Sequence, residues 1–452
     1  MIARDDRLSL PRLMAYAAPV CATNFLWMPT VSILPGLYAK YFGLGLAQIA
    51  MVLLVARIAD GVSDPIIGYA ADRHRSRGGS YRSWVVVGGL GLSISAIFLF
   101  TPPRPAPQLY YLAWSLVFYL SWSLVDIPHA AWGSRLAGDY TGRARVYAAR
   151  TTGLFAGLIA FLILPFLPIV ARSDYSPETM RMTAYVGVAL MLLCLAATVW
   201  SPRGIVVSHG GGARISSLLA SILRNPALAR FLTAHFVGGI GFGMWFALIF
   251  IHLDGYLGLG SQVPLILLLC NVAAALLIPF WLRLIARTSK TAVWAACVVL
   301  YIASLAIVPA AAPGGSWLLA LAFTALAYAA FGGQAVASAA VLADIADYGE
   351  WKFRQSCSGF YFALIGLSYK ITTGLGAGLA LLIAARMGFD PAAKLHSAEA
   401  VRGLLIGFAV VPAILTLISI PLILGLPITP RRHAIIRRRL DRIAATGAVP
   451  SR

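Results

Sequence analysis

Charge is what this chain has least of. Only 12% of its 452 residues are Asp, Glu, Lys or Arg, against roughly 25% in an ordinary soluble domain, and that scarcity excludes a water-soluble fold for most of the length. Acidic residues are rarer still, 16 against 36 basic ones, so every carboxylate inside an apolar stretch is conspicuous. The cysteines Cys21, Cys194, Cys270, Cys297 and Cys357 lack any metal-ligand or redox spacing, which excludes a thiolate centre and leaves them as small packing residues. The histidines form no HxxxH or ExxH pattern. No nucleophile stands beside a base, so an enzyme working on intramembrane aspartates is only a remote alternative.

What the chain has in abundance is apolar sequence. Hydrophobic residues make up 60%, and the mean hydropathy is +0.82. Twelve stretches of membrane-spanning length can be marked, at 14–39, 46–71, 84–102, 108–134, 144–170, 182–200, 228–253, 262–286, 291–311, 316–345, 357–387 and 400–426. The expected fold class is an all-α polytopic membrane protein. The charged N-terminus leads into a first stretch too long for a signal-peptide core, so no cleaved signal is expected.

The net charge of +20 would suggest nucleic acid in a soluble protein, but its distribution answers a different question. Arg73, Arg75, Arg77 and Arg82, Arg135 to Arg145, Arg203 to Arg230, Arg283 to Lys290, Lys352 with Arg354, and Arg431 to Arg452 crowd one set of connections. The alternate connections hold seven basic residues: Lys40, Arg104, Arg172, Arg181, Arg386, Lys394 and Arg402. By the positive-inside rule, an even number of spans with both termini cytoplasmic fits, in a bacterial inner membrane or other plasma membrane. No nucleic-acid partner is expected.

Within residues 51–70, MVLLVARIADGVSDPIIGYA, the residues Arg57, Asp60 and Asp64 recur at spacings of three and four and share one helical face. Lipid cannot meet that face, because ionisable groups at membrane depth line a protein interior or a wet cavity. Bare carboxylates one turn apart, about 5.5 Å, would repel by roughly 3 kcal/mol at an effective dielectric of 20. Either one Asp holds a proton, or Arg57 partly neutralises the pair, or a hard cation sits between the oxygens. A bland alternative is a buried Arg57–Asp60 pair that only fixes helix packing. Ser63 lies on the same patch.

The organisation is that of two halves. Residues 1–200 hold six spans, 201–226 form a Gly-rich basic linker, 227–427 hold six more, and 428–452 form a basic tail. In the tail, Ile436, Leu440 and Ile443 share a face among arginines, which suits a helix lying on anionic membrane lipid; a solvated tail serves topology equally well. Each half carries a short basic loop after its second span, the weak internal correspondence of a repeat-built transporter. The first of these, Gly68 to Arg73 with Arg75, Arg77 and Gly78, resembles the signature loop of the major facilitator superfamily.

Four segments in order resemble the glycoside-pentoside-hexuronide:cation symporters of that superfamily. They are VARIADGVSDPIIG (Val55 to Gly68), VDIPHAAWGSRL (Val125 to Leu136), ADIADYGEWKF (Ala343 to Phe353) and Lys370 in the next span. The resemblance implies a major facilitator fold of twelve helices in two six-helix halves, a monomer, no cofactor, and symport of a small-molecule sugar or glycoside with Na+ or H+. It implies cation ligands at Asp60 and Asp64, the place for Na+, with neutral oxygens from Ser63 and from Ser123 on the fourth helix. It implies sugar contacts at Asp126 and Arg150, where a carboxylate accepts and a guanidinium donates, and at Lys370. The acids Asp344, Asp347 and Glu350, with Arg57, Lys352 and Arg354, are read as gate charges; a solvated charge cluster is the alternative.

Departures from the family bear on substrate. An acidic sugar ligand on the first helix becomes Asn24, preceded by Thr23; tryptophans become Ala130 and Ala335; and a Gln-Thr pair becomes Ile365-Gly366. Trp27, Trp122, His129 and Trp132 offer other stacking surfaces, although aromatics in spans commonly serve packing. Trp122 and His129 are the substrate candidates among them. A wider, less polar pocket than a galactoside site is expected, and a carrier of amphiphiles such as lysolipids is the rival within the same fold.

Overall fold

The computed structural model describes residues 9–133, 136, 140–170, 174–200, 224–353, 358–428 and 430–446. Every expected apolar stretch is met by helix. In chain order these are α1 (Leu10–Ser32), α2 (Leu34–Tyr41), α3 (Leu46–Ser76), α4 (Tyr81–Phe100), α5 (Gln108–Gly133), α6 (Tyr140–Ile163) and α7 (Pro177–Trp200). After the linker, most of which lies outside the described residues, come α8 (Pro226–Phe250), α9 (Val263–Leu276), α10 (Ile278–Arg287), α11 (Lys290–Ile307) and α12 (Trp317–Phe353). The chain ends with α13 (Ser358–Arg386), α14 (Ala398–Leu405), α15 (Val411–Leu424) and the tail helix α16 (Pro430–Thr446).

Proline explains why some spans are two helices. Pro35 stands at the start of α2 and cannot donate to the carbonyl one turn back, so α1 and α2 meet at Ile33 with a bend of 49°. Pro279 similarly follows the break at Leu277 between α9 and α10. Pro412 follows a π-helical turn, Ile406–Val410, that joins α14 to α15. Among the described residues ten helices are long and apolar enough to cross a membrane, and the bent pair α1–α2 makes an eleventh. Helix α5 fills the place of the remaining span with 26 residues, its apolar run diluted by serines, Asp126 and His129.

The pattern on α3 is inverted relative to a soluble helix. Ile58, Val62, Ile66 and Tyr69 are exposed, while Arg57 and Asp60 are buried. Such a helix shows an apolar face to hydrocarbon and keeps its charges for the protein interior.

The described helices gather into two compact units. The first falls within residues 1–209, 246–268 and 377–404, the second within 210–245, 269–376 and 405–452. In the first, α1 and α6 lie so close that a Cβ on Gly157 would stand 2.0 Å from the Cys21 carbonyl oxygen, the small-residue contact by which membrane helices approach in the absence of a hydrophobic drive between them. In the second, a Cβ on Gly376 would stand 2.4 Å from the Ile240 carbonyl oxygen, which brings α13 against α8 in the same manner. The core of the second unit is built on Phe231, Trp281, Trp294, Tyr361 and Ile423.

Candidate coupling and substrate sites

Helix α3 positions the acidic patch and α5 completes it. Asp60 is buried at 2% exposure, and its Oδ1 accepts a 2.8 Å hydrogen bond from the hydroxyl of fully buried Ser123 on α5. Its other oxygen faces Arg57 Nη1 at 3.5 Å. The Arg57 guanidinium also lies over the Tyr119 ring, 4.2 Å from the centroid, so an aromatic face on α5 shares the cation with the carboxylate. Ser63 donates to the Asp60 backbone carbonyl at 3.1 Å, and Asp64 stands half-buried one turn along the same helix. Pro65 lies inside the helix next to this patch and has no N–H to offer the Gly61 carbonyl.

The candidate donors are therefore oxygens: carboxylates at Asp60 and Asp64 and hydroxyls at Ser63 and Ser123. Hard cations take such ligands. Among the described residues, no group of three or more His, Cys, Asp or Glu side chains gathers to hold a metal ion.

One turn further along α5, Asp126 Oδ1 accepts a short hydrogen bond from Arg150 Nη2 of α6. Both side chains are partly open, 32% and 22% exposed. An ion pair at that depth with both partners still accessible can offer acceptor and donor to a polyol. Asn24 on α1 is half-buried, its amide N–H donating to the Val20 carbonyl at 2.9 Å, and Trp122 is half-buried on α5.

His129 differs from its expected place on a binding surface: it is fully buried. Its ring stacks on Tyr16, centroids 4.2 Å apart and planes 16° apart, and meets the edge of Trp132 at 5.8 Å. Nε2 lies 2.7 Å from the Tyr16 carbonyl oxygen while the Tyr16 hydroxyl donates to the His129 carbonyl at 3.2 Å. The residue staples α1 to α5. Lys370 is half-buried on α13 and belongs to the second unit.

The acids of the ADIADYGE segment find partners that spacing did not suggest. Asp344 is held by Lys290 at 2.6 Å and by His433 at 3.3 Å. Asp347 meets His433 at 2.9 Å and Arg437 at 3.6 Å. The tail helix α16 is thus pinned to α12 by residues one turn apart, and Lys290 comes from the start of α11. Lys352, expected beside these acids, instead donates to the Arg224 carbonyl at 2.7 Å, and Glu350 is exposed. Arg354 lies outside the described residues. Arg57, grouped with the gate charges from sequence, sits at the acidic patch in the middle of α3.

Comparison with known proteins agrees with this architecture. Residues 15–430 match the family described as MFS/sugar transport protein. The putative glycoside/cation symporter YagG of Escherichia coli strain K12 is 23% identical over 464 residues, covering 98% of each chain. The glucuronide carrier protein homolog of the same organism is 24% identical over 461 residues, covering 97% of this chain and 96% of its own. Among solved structures, a bacterial homologue of the human lysosomal transporter Spinster superposes with a TM-score of 0.66 at 13% identity, covering 96% of this chain and 98% of its own. That last likeness concerns the fold.

Proposed function

The chain belongs to the MFS/sugar transport protein family, a family of membrane carriers and not of enzymes, and from that premise we propose that it moves a glycoside or related polyol together with Na+ or H+ by alternating access. The observation that supports this reading is the Ser123–Asp60 bond between α5 and α3, with Ser63 and Asp64 following Asp60 along α3 and Asp126, paired with Arg150 of α6, one turn from Ser123 on α5. A relative of nearly identical length bears the name glycoside/cation symporter, which supports both the substrate class and the coupling.

Arg57 balances part of the charge on Asp60. A coupling cation entering between Asp60 and Asp64 removes the carboxylate repulsion and leaves Arg57 to the Tyr119 ring that it already faces. Ser123 and Asp126 lie three residues apart on α5, on one helical face, so a change at the cation ligands is felt at the substrate pair through a single rigid element. By linkage, substrate then raises cation affinity by the same factor that the cation raises substrate affinity. Asn24 and Trp122 are assigned to the wall of the substrate site. The assembly proposed is a monomer in the bacterial inner membrane with both termini in the cytoplasm.

The test is uptake into proteoliposomes under an imposed sodium or proton gradient, with a panel of glycosides and with lysolipids as competitors. Gradient-driven accumulation of an unaltered glycoside supports the proposal. Accumulation blocked by lysolipids but by no glycoside would move the substrate class to amphiphiles, and uptake indifferent to both gradients would remove the coupling.

A further inference from the structure

Lys40 is one of the few basic residues on the arginine-poor side of the chain, in the last turn of α2. Its ammonium donates to Asp254 Oδ2 at 2.8 Å, across 214 positions of sequence. Asp254 lies in a π-helical turn, Ile251–Tyr256, that prolongs α8 beyond Phe250. The pair is largely withdrawn from water, the side chains 27% and 10% exposed. Exposed ion pairs contribute little, but the surroundings of this one are shaped to hold it. A Cβ on Gly260 would stand 2.4 Å from Asp254 Oδ1, so only glycine leaves the carboxylate its place. A Cβ on Gly36 would stand 2.5 Å from the Phe250 ring, so α2 lies directly against the end of α8. From the other side, His396 Nε2 lies 3.2 Å from the Gly255 carbonyl oxygen while its ring stacks on Phe389 at 4.5 Å.

Lys40 belongs to the first six spans and Asp254 to the seventh. Alternating access parts the first six spans from the last six at one membrane face and then at the other. A contact that joins the two sets at one face must therefore break whenever that face opens. We propose that Lys40 and Asp254 form the latch of the arginine-poor face, made when that face is closed and broken when it opens. An ion pair suits this duty better than apolar packing would. Its net stabilisation is small because desolvation offsets the Coulomb attraction, and both charges regain water on opening. It also fixes register, because the carboxylate meets the ammonium at one alignment of the two helix ends.

The inference rests on the transport reading only through the requirement that both faces open in turn. The test places a reporter cysteine at half-buried Asn24 in a protein whose native cysteines are replaced, reconstituted in liposomes of known orientation, and measures alkylation by a membrane-impermeant maleimide from each side. We expect Lys40→Met and Asp254→Asn each to speed labelling from the arginine-poor side at least about fivefold, by shifting population toward the state open there. The swap of Lys40→Asp with Asp254→Lys is expected to return the rate to within about twofold of the parent, because the attraction is restored with its sign unchanged. Single variants labelling at the parental rate, or a folded swap variant labelling as fast as the singles, would overturn the latch. Should one single variant fail to fold, the other single variant compared with the parent and the swap decides. A reporter reached from one face only in every variant would instead count against alternating access itself.

Discussion

The hydroxyl of Ser123 on α5 donates to Asp60 Oδ1 on α3 at 2.8 Å, with both residues buried. This bond ties the helix that carries the acids to the helix that carries Asp126. Replacing Ser123 by Ala removes a neutral oxygen from the proposed cation ligands and leaves the packing almost unchanged. The expected result is a fall of about tenfold in apparent cation affinity, about 1.4 kcal/mol, with the protein still folded. Isothermal titration with sodium, and proton release on binding, measure it.

Asp126 and Arg150 satisfy one another. Asp126→Asn removes the acceptor charge and leaves the guanidinium inside the bundle with a weaker partner, so substrate affinity is expected to fall by about a hundredfold or more, roughly 3 kcal/mol. Cation binding should persist, because Asp60 and Asp64 are untouched. Substrate-dependent and cation-dependent thermal shifts, recorded on the same sample, separate the two effects.

His129 is a matter of stability. Truncation to Ala deletes a stacked ring and a hydrogen bond to the Tyr16 carbonyl in a fully buried position, an expected loss of about 3 kcal/mol. His129→Phe keeps the ring and loses only the hydrogen bond, so its loss should be about half as large. Melting temperatures rank the two variants against the parent; Ala and Phe melting together would show that stacking contributes nothing.

His433 and Arg437 hold the tail against Asp344 and Asp347. Arg437 is well exposed, so its own contribution to global stability is small. Their joint replacement by Ala should leave the melting temperature within about a degree, because surface substitutions of this kind lie within about ±0.5 kcal/mol. Limited trypsin digestion at the tail arginines should speed several-fold as the helix leaves α12.

The spans were legible because hydrocarbon imposes one rule on every helix: apolar for about twenty residues, with backbone bonds closed internally. That Asp60, Ser63 and Asp64 share one stretch of α3 is legible because three- and four-residue spacing lies within one helix and needs no knowledge of neighbours. Ser123 was reached only through family resemblance, since no period in the sequence relates α5 to α3. Tyr119 escaped notice because an aromatic that carries a cation looks, in sequence, like one that packs. His129 shows the converse: a polar ring in a motif read as a binding group proved to be a staple. The partners of Asp344 and Asp347 have no signal in the sequence, because a helix end meets charges according to where other helices end, here Lys290 and the tail. Lys40 and Asp254 lie 214 positions apart, a separation over which charge pairing leaves no local trace.

The central claim is that the carboxylates of α3 bind the coupling cation and thereby strengthen substrate binding. The most direct test is thermal unfolding of the purified protein at constant ionic strength, exchanging choline for sodium at several pH values, with and without the glycoside identified by uptake, in the parent and in Asp60→Asn. Sodium, or a proton in its place, should raise the melting temperature of the parent, by an amount equivalent to about 2.7 kcal/mol at a hundred times its dissociation constant. The glycoside should add a further rise that depends on the cation, and Asp60→Asn should abolish both the cation effect and that dependence. A parent whose melting temperature ignores sodium and pH alike, or an Asp60→Asn variant that responds as the parent does, would contradict the claim.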